Sequence, residues 1–162
     1  MVAIVIINQK NGAGETATDV TSGTYRFKNA DDANVDSNNP MVVPGAGSDW
    51  SFQKFLRLNF AGTFTNVSNL RYYTDGSNGF GTGVLLWAQA TPAYATPAKE
   101  TISTGYLDAF GYTSGAPLSL GAGPFTGLGD NGDYLKEAME VQSTATQGAL
   151  TPELQTFSWD EI

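Results

Sequence analysis

The sequence predicts an all-β fold: a single antiparallel β-sandwich, jelly-roll or immunoglobulin-like, with long loops rich in Gly, Pro and Asn. Three observations lead there. Apolar residues make up 41% of the 162 positions, yet they come in runs too short for ordinary helices. The chain carries 19 Gly and 7 Pro, and such punctuation suits many short strands joined by turns. In residues 50–60, Trp50, Phe52, Leu56, Leu58 and Phe60 share one parity against Ser51, Gln53, Arg57 and Asn59, the period-two pattern of a half-buried strand. The length suits one domain with a substantial core, so residues 1–162 are read as one unit whose first 49 residues form a strand and an extended arm.

In chain order, the apolar residues 2–7 form the first strand, being too short to span a bilayer and without the basic flank of a secretory signal. Residues 8–14 turn, with Asn11-Gly12 as the turn dipeptide. Residues 15–23 suit either a strand edge or a loop, and the alternation in residues 24–28 predicts a short strand. Residues 29–49 are irregular, held open by Pro40, Pro44, Gly45 and Gly47. Within the strand at 50–60, Lys54 and Phe55 break the alternation, as a bulge or a second covered face would.

Two further core strands flank a Gly-rich turn, one ending in Leu70-Arg71-Tyr72-Tyr73 and one at Val84-Leu85-Leu86-Trp87. Their linker is longer than a hairpin loop, which is compatible with direct pairing and with crossing between two sheets. Pro92 and Pro97 make residues 89–97 an extended loop or edge. In residues 101–113 the helical spacing of Ile102, Tyr106, Leu107 and Phe110 competes with Gly105 and Gly111, and short strands fit equally. Residues 117–120 form a short strand and residues 121–132 a glycine loop. Residues 134–142 have high helix propensity, but we read them as a strand that pairs antiparallel with residues 156–159 after a loop containing Gly148 and Pro152.

Composition removes several chemistries. Without Cys or His the chain has no thiolate, no imidazole and none of the usual Ser-His or Cys-His pairs. A formal charge of −8 makes nucleic acid a poor partner. The glycine loop lacks the Lys-Ser/Thr of a phosphate loop. Asp32, Asn34, Asp36 and Asn38 alternate like oxygen ligands at the start of a calcium loop, but Ser37 and Val43 replace its Gly and Glu, so a solvated turn is the preferred reading and no cofactor is expected. Glu100, Asp108, Asp130, Asp133, Glu137 and Glu140 are the candidates for acid–base work; turns and polar strand faces account for them, and none is assigned a catalytic role. Trp50, Trp87, Trp159, Tyr72, Tyr73 and Tyr94 could form a sugar platform, although their apolar patterns favour core packing. Asn66-Val67-Ser68 matches the glycosylation triplet.

Trp50-Ser-Phe-Gln-Lys-Phe-Leu-Arg-Leu, Ser68-Asn-Leu-Arg-Tyr-Tyr-Thr-Asp-Gly76, Gly132-Asp-Tyr-Leu, Met139-Glu-Val-Gln-Ser-Thr-Ala and the ending Thr156-Phe-Ser-Trp-Asp-Glu161 resemble segments of tailed-bacteriophage virion proteins with capsid-decoration (cement) or neck and tail accessory roles. The resemblance implies a non-enzymatic subunit on the capsid exterior that binds the major capsid protein lattice and neighbouring copies, plausibly as a homotrimer, with neither nucleic acid nor membrane as partner. A neck, tail or fibre accessory protein, or a carbohydrate-binding module, is the alternative. The expected contacts lie on the first strand and the long loops: Val2, Ile4, Asn29, Asp31, Pro44, Pro92, Tyr94 and Pro97.

Overall fold

The computed structural model describes residues 2–162. Ten strands are present: β1 (Ala3–Asn11), β2 (Thr16–Asp19), β3 (Ser48–Trp50), β4 (Lys54–Gly62), β5 (Val67–Thr74), β6 (Val84–Thr91), β7 (Leu107–Asp108), β8 (Leu118–Gly121), β9 (Gly129–Gln142) and β10 (Gln155–Glu161). One 3-10 turn, Ala109–Gly111, follows β7, with the Asp108 side chain accepting from the Phe110 amide. All ladders among the described residues are antiparallel.

The strands form a β-sandwich of very unequal sheets. The large sheet has seven strands in the order β2-β1-β4-β9-β6-β7, with β3 also on β9; the small sheet is β10-β5-β8. Neither the jelly-roll nor the immunoglobulin arrangement prescribes that division. Between the sheets, Leu56, Leu58, Phe60, Leu86 and Leu135 of the large sheet meet Leu70, Tyr72 and Leu120 of the small one, all essentially inaccessible to solvent.

Several expectations need correction. The strand expected over 50–60 is two strands: β3 and β4 both pair with β9, separated by residues 51–53. Phe52 therefore lies outside the main strand, while Lys54 and Phe55 lie inside it, each buried on an opposite face. A bulge is also present, between Leu56 and Leu58. Residues 24–28 form no strand; they pack as a loop on the core. The first strand continues to Asn11 before turning at Gly12, and β2 is an exposed edge. The chain from β5 to β6 crosses between the sheets. Residues 134–142 are a strand despite their helix propensity, because β4 and β6 flank β9 and both its faces are covered. The last strand does not return to β9; β10 pairs with β5. Nor do residues 2–49 extend as an arm, since β1 and β2 belong to the large sheet and the following loop lies against it.

Two glycines sit where a side chain would clash. A Cβ on Gly132, at φ +73°, would sit 2.6 Å from both the Leu120 carbonyl oxygen and a Leu70 methyl, and one on Gly121 would meet the Phe125 ring at 2.8 Å. Only a residue without a side chain lets β8 lie this near β9. Gly132→Ala is expected to destabilise the fold by roughly 3 kcal/mol through backbone strain and overpacking, read as a lower urea midpoint; a change below about 1 kcal/mol would contradict this close approach.

Candidate functional site

The small sheet covers only part of the large one, and the remaining inner face carries polar side chains on strand parities that are otherwise apolar. Gln9 follows Val5 and Ile7 on β1, Lys54 precedes Leu56 and Leu58 on β4, and Glu137 lies between Leu135 and Met139 on β9. Gln9 stands opposite Leu56, and Lys54 opposite Glu137. All three are at most 1% exposed. Buried polar groups require partners, and here the loop after β2 supplies them. The Asp32 carbonyl accepts from Lys54 Nζ at 2.8 Å and from Gln9 Nε2 at 3.2 Å. Burial pulls the Lys54 ammonium down to about 8, against the attraction of Asp32 and Asp31.

The alternating oxygens of this loop do converge on a positive charge, which is a lysine of the same chain. Lys28 is fully buried, and its Nζ donates to Asp32 Oδ1 at 3.0 Å, Asp36 Oδ1 at 2.9 Å and the Asn34 carbonyl at 3.4 Å. Desolvation lowers the affinity of this ammonium for its proton, but hydrogen bonds and charge from Asp36 and Asp32 outweigh it and the pKa is raised. Asp32 and Asp36 also cap the amides of Asn34 and Asn38. Asn34 therefore contributes a backbone oxygen and Asn38 only braces Asp36. The suggested metal set is better described as a cage around an ammonium, and no group of three metal-capable side chains occurs among the described residues.

Glu137 is the residue that sequence reasoning misplaced. Expected on a polar face, its carboxylate is completely buried between the sheets, accepting from Tyr25 at 2.5 Å and from Tyr72 at 3.0 Å. Tyr25 also contacts the Gln155 side-chain oxygen, so one cluster joins the loop, β5, β9 and β10. Desolvation raises the Glu137 pKa to about 7, against the lowering effect of these hydrogen bonds, and raises Tyr25 and Tyr72 well above the usual tyrosine value. The signal was in the sequence: Glu137 shares the parity of Leu135, Met139 and Val141.

On the outer face the segment 92–106 packs over the sheet, with Tyr106 and Glu100 against β9. Trp50 stacks on Trp87 at 6.5 Å, and the Trp87 indole donates to Glu140 at 3.0 Å. Glu100 accepts from Gln53 and Tyr106, both at 2.9 Å, and Asp130 binds Lys10 at 2.5 Å and Asn59 at 2.7 Å. These carboxylates are engaged within the fold, and most of the aromatic residues proposed as a sugar platform are packed: Trp50 and Tyr72 are buried, and Trp87 and Trp159 lie against core clusters, while Tyr73 is half-buried on the opposite parity of β5.

The expected contact residues divide. Val2 and Ile4 are exposed, at 76% and 58%, and Pro92 is exposed in its loop. Pro97 is buried, and Tyr94 packs edge-on against Phe55 while its hydroxyl donates to the Gly12 carbonyl. Asp31 accepts from Asn11 and the Gly12 amide, and Asn29 donates to Pro40 and Asp49. Pro44 is half-buried. Tyr94, Pro97, Asp31 and Asn29 thus hold the loops to the sheet instead of facing outward. Sequence reasoning missed Leu128 and Ile162, 68% and 77% exposed. They join Val2 and Ile4 at one end of the sandwich: Ala3 pairs with Gly62, Phe60 with Gly129, and the Ala3 amide donates to Glu161 at 2.6 Å.

No family model matches the chain, and no curated protein or solved structure matches it either. No helix among the described residues is long and apolar enough to cross a membrane.

Two predictions follow from the buried charges. Lys28→Met leaves Asp32 and Asp36 facing each other without a counter-charge and is expected to lower the thermal midpoint by roughly 5–10 °C; an unchanged midpoint would remove Lys28 as the centre of the loop. Because the folded Glu137 pKa lies above its ordinary 4.5, folding takes up a proton between pH 4.5 and about 7. Its contribution is full below that window and is lost as pH rises through it, on the order of 3 kcal/mol. Urea titrations of Glu137→Gln should show that slope flattened, and an unaltered slope would assign it to another group.

Proposed function

We propose that this protein is a non-enzymatic structural subunit of a tailed-phage virion, one that decorates the capsid exterior by binding the major capsid protein lattice and neighbouring copies. The observation that carries its interaction role is the group of large aliphatic side chains at one end of the sandwich, Val2, Ile4, Leu128 and Ile162, between 58% and 77% exposed. Clustered exposed apolar residues mark contact surfaces more often than scattered ones do. The assignment to a virion rests on the resemblance of residues 50–162. A subunit that binds only the assembled lattice stabilises it by mass action, and a closed trimer suits such a surface because soluble oligomers are mostly symmetric. A neck, tail or fibre position would use the same surface on a different partner.

Purified protein mixed with expanded capsids that lack it should co-sediment saturably and raise the capsid melting temperature. Ile4→Asp combined with Leu128→Asp should weaken that binding by about tenfold or more while the thermal midpoint of the free subunit is retained. Absence of binding across a range of salt would overturn the capsid assignment for those capsids. Unimpaired binding of the double variant would move the contact to another face.

A further inference from the structure

Where the small sheet stops, the inner face of the large sheet is roofed by the segments 20–27, 40–43 and 145–154, and the roof does not fill the space. A cavity of about 780 Å³ remains. Protein interiors are close-packed, with few voids larger than a water molecule, so a space of this size beside the core, open to solvent at its rim, has room for an occupant. Its lining is mainly apolar: Ile7, Phe27, Val84, Met139, Val141 and Phe157 line it, with Thr24, Gln147 and Gln155 among the polar residues, while Val42 and Leu154 stand exposed at its rim. The volume lies within the range of pockets that take small molecules.

We infer that this cavity binds an uncharged, largely aliphatic small molecule. The wall chemistry argues for the aliphatic part, since apolar cavities exclude water and accept apolar guests. The charges argue for neutrality. Arg26 and Glu153, the charged residues on the lining, are opposite in sign, and Arg26 already donates to the Asp36 carbonyl. The Tyr25 hydroxyl, the polar group nearest the core, is held by the buried Glu137. The lining therefore carries no net charge, and the chain as a whole carries −8. Met41 and Met139, packed in one cluster, supply adaptable side chains to the lining.

The test uses the full chain with the neutral dye N-phenyl-1-naphthylamine, displaced by 1-dodecanol or, at pH 8, by ionised dodecanoate. A saturable single-site fluorescence increase is expected, with dodecanol displacing the dye at concentrations about tenfold below those of dodecanoate. Val141→Trp and Val43→Trp fill the space from different walls; each, when folded, should weaken the dye by about tenfold or more, whereas Ile102→Ser on the outer loop should not. In the unmodified protein the Met41 and Met139 methyl resonances should shift on adding dodecanol, a readout that does not depend on any variant folding. Lack of saturation, full binding by a folded filled variant, or methyl resonances that stay in place would overturn the inference. Equal displacement by dodecanoate would overturn its neutral character. Dye release on self-association at rising protein concentration would make a second copy the occupant instead.

Discussion

A wide sheet with a narrow partner is the constraint on which the structure depends. At ordinary strand spacing the large sheet is about 24 Å across, with β3 and β4 end to end, and the small one about 10 Å. Apolar strand faces cannot stay in water, so irregular chain must cover what the second sheet leaves open. Loop backbone brings unpaired N–H and C=O groups with it, and a purely apolar strand face would give them no partners. Gln9, Lys54 and Glu137 supply partners from the sheet side, and the loop answers with the Asp32 carbonyl and the Tyr25 hydroxyl.

The same arrangement accounts for the charge placement. Buried ion pairs seldom add much net stability, but they penalise any geometry that separates them. Lys28 has its two carboxylates within 3.0 Å, and those carboxylates also cap the turns that shape the loop. The loop of 28 residues between β2 and β3 is therefore braced by an internal cation. On the other face, Tyr94, Glu100 and Lys99 fix the second long loop against Phe55, Gln53 and Asp49. With both loops tied down, exposed aliphatic side chains remain at the β1 end, and the incomplete roof leaves the cavity.

Strand identity was legible because period two survives in β4, β5 and β6, and even the helix-prone Lys136-Glu137-Ala138-Met139 reads as strand once alternation is weighed against propensity. Sheet partnership was not legible. Nothing local distinguishes a Gly-rich linker that makes a hairpin from one that crosses between sheets, and β10 chose β5 over its sequence neighbour. The candidate site was legible in part. Val2 and Ile4 are apolar and lie at the start of the first strand, beyond its pairing with β2, so their exposure could be anticipated; Tyr94 and Pro97 look like loop residues and are covered only because the outer face needs a cover. Glu137 and Lys54 were readable as exceptions to their own parity. The Asp32–Asn38 alternation was read as a solvated turn in preference to a cation site; the turns are present, but only the fold brings Lys28 to their centre.

The central claim is that the chain from Tyr25 to Asp36 belongs to the core as firmly as the strands do. Residue-resolved native-state hydrogen exchange tests it most directly, through amides whose bonds tie the loop to itself and to the sheet, Asn29 to the Asn39 carbonyl at 2.7 Å and Phe52 to the Lys28 carbonyl at 3.0 Å. The account predicts that these two exchange with opening free energies close to those of β9. Exchange near the rate of an unfolded chain, with β4 and β9 still protected, would contradict it.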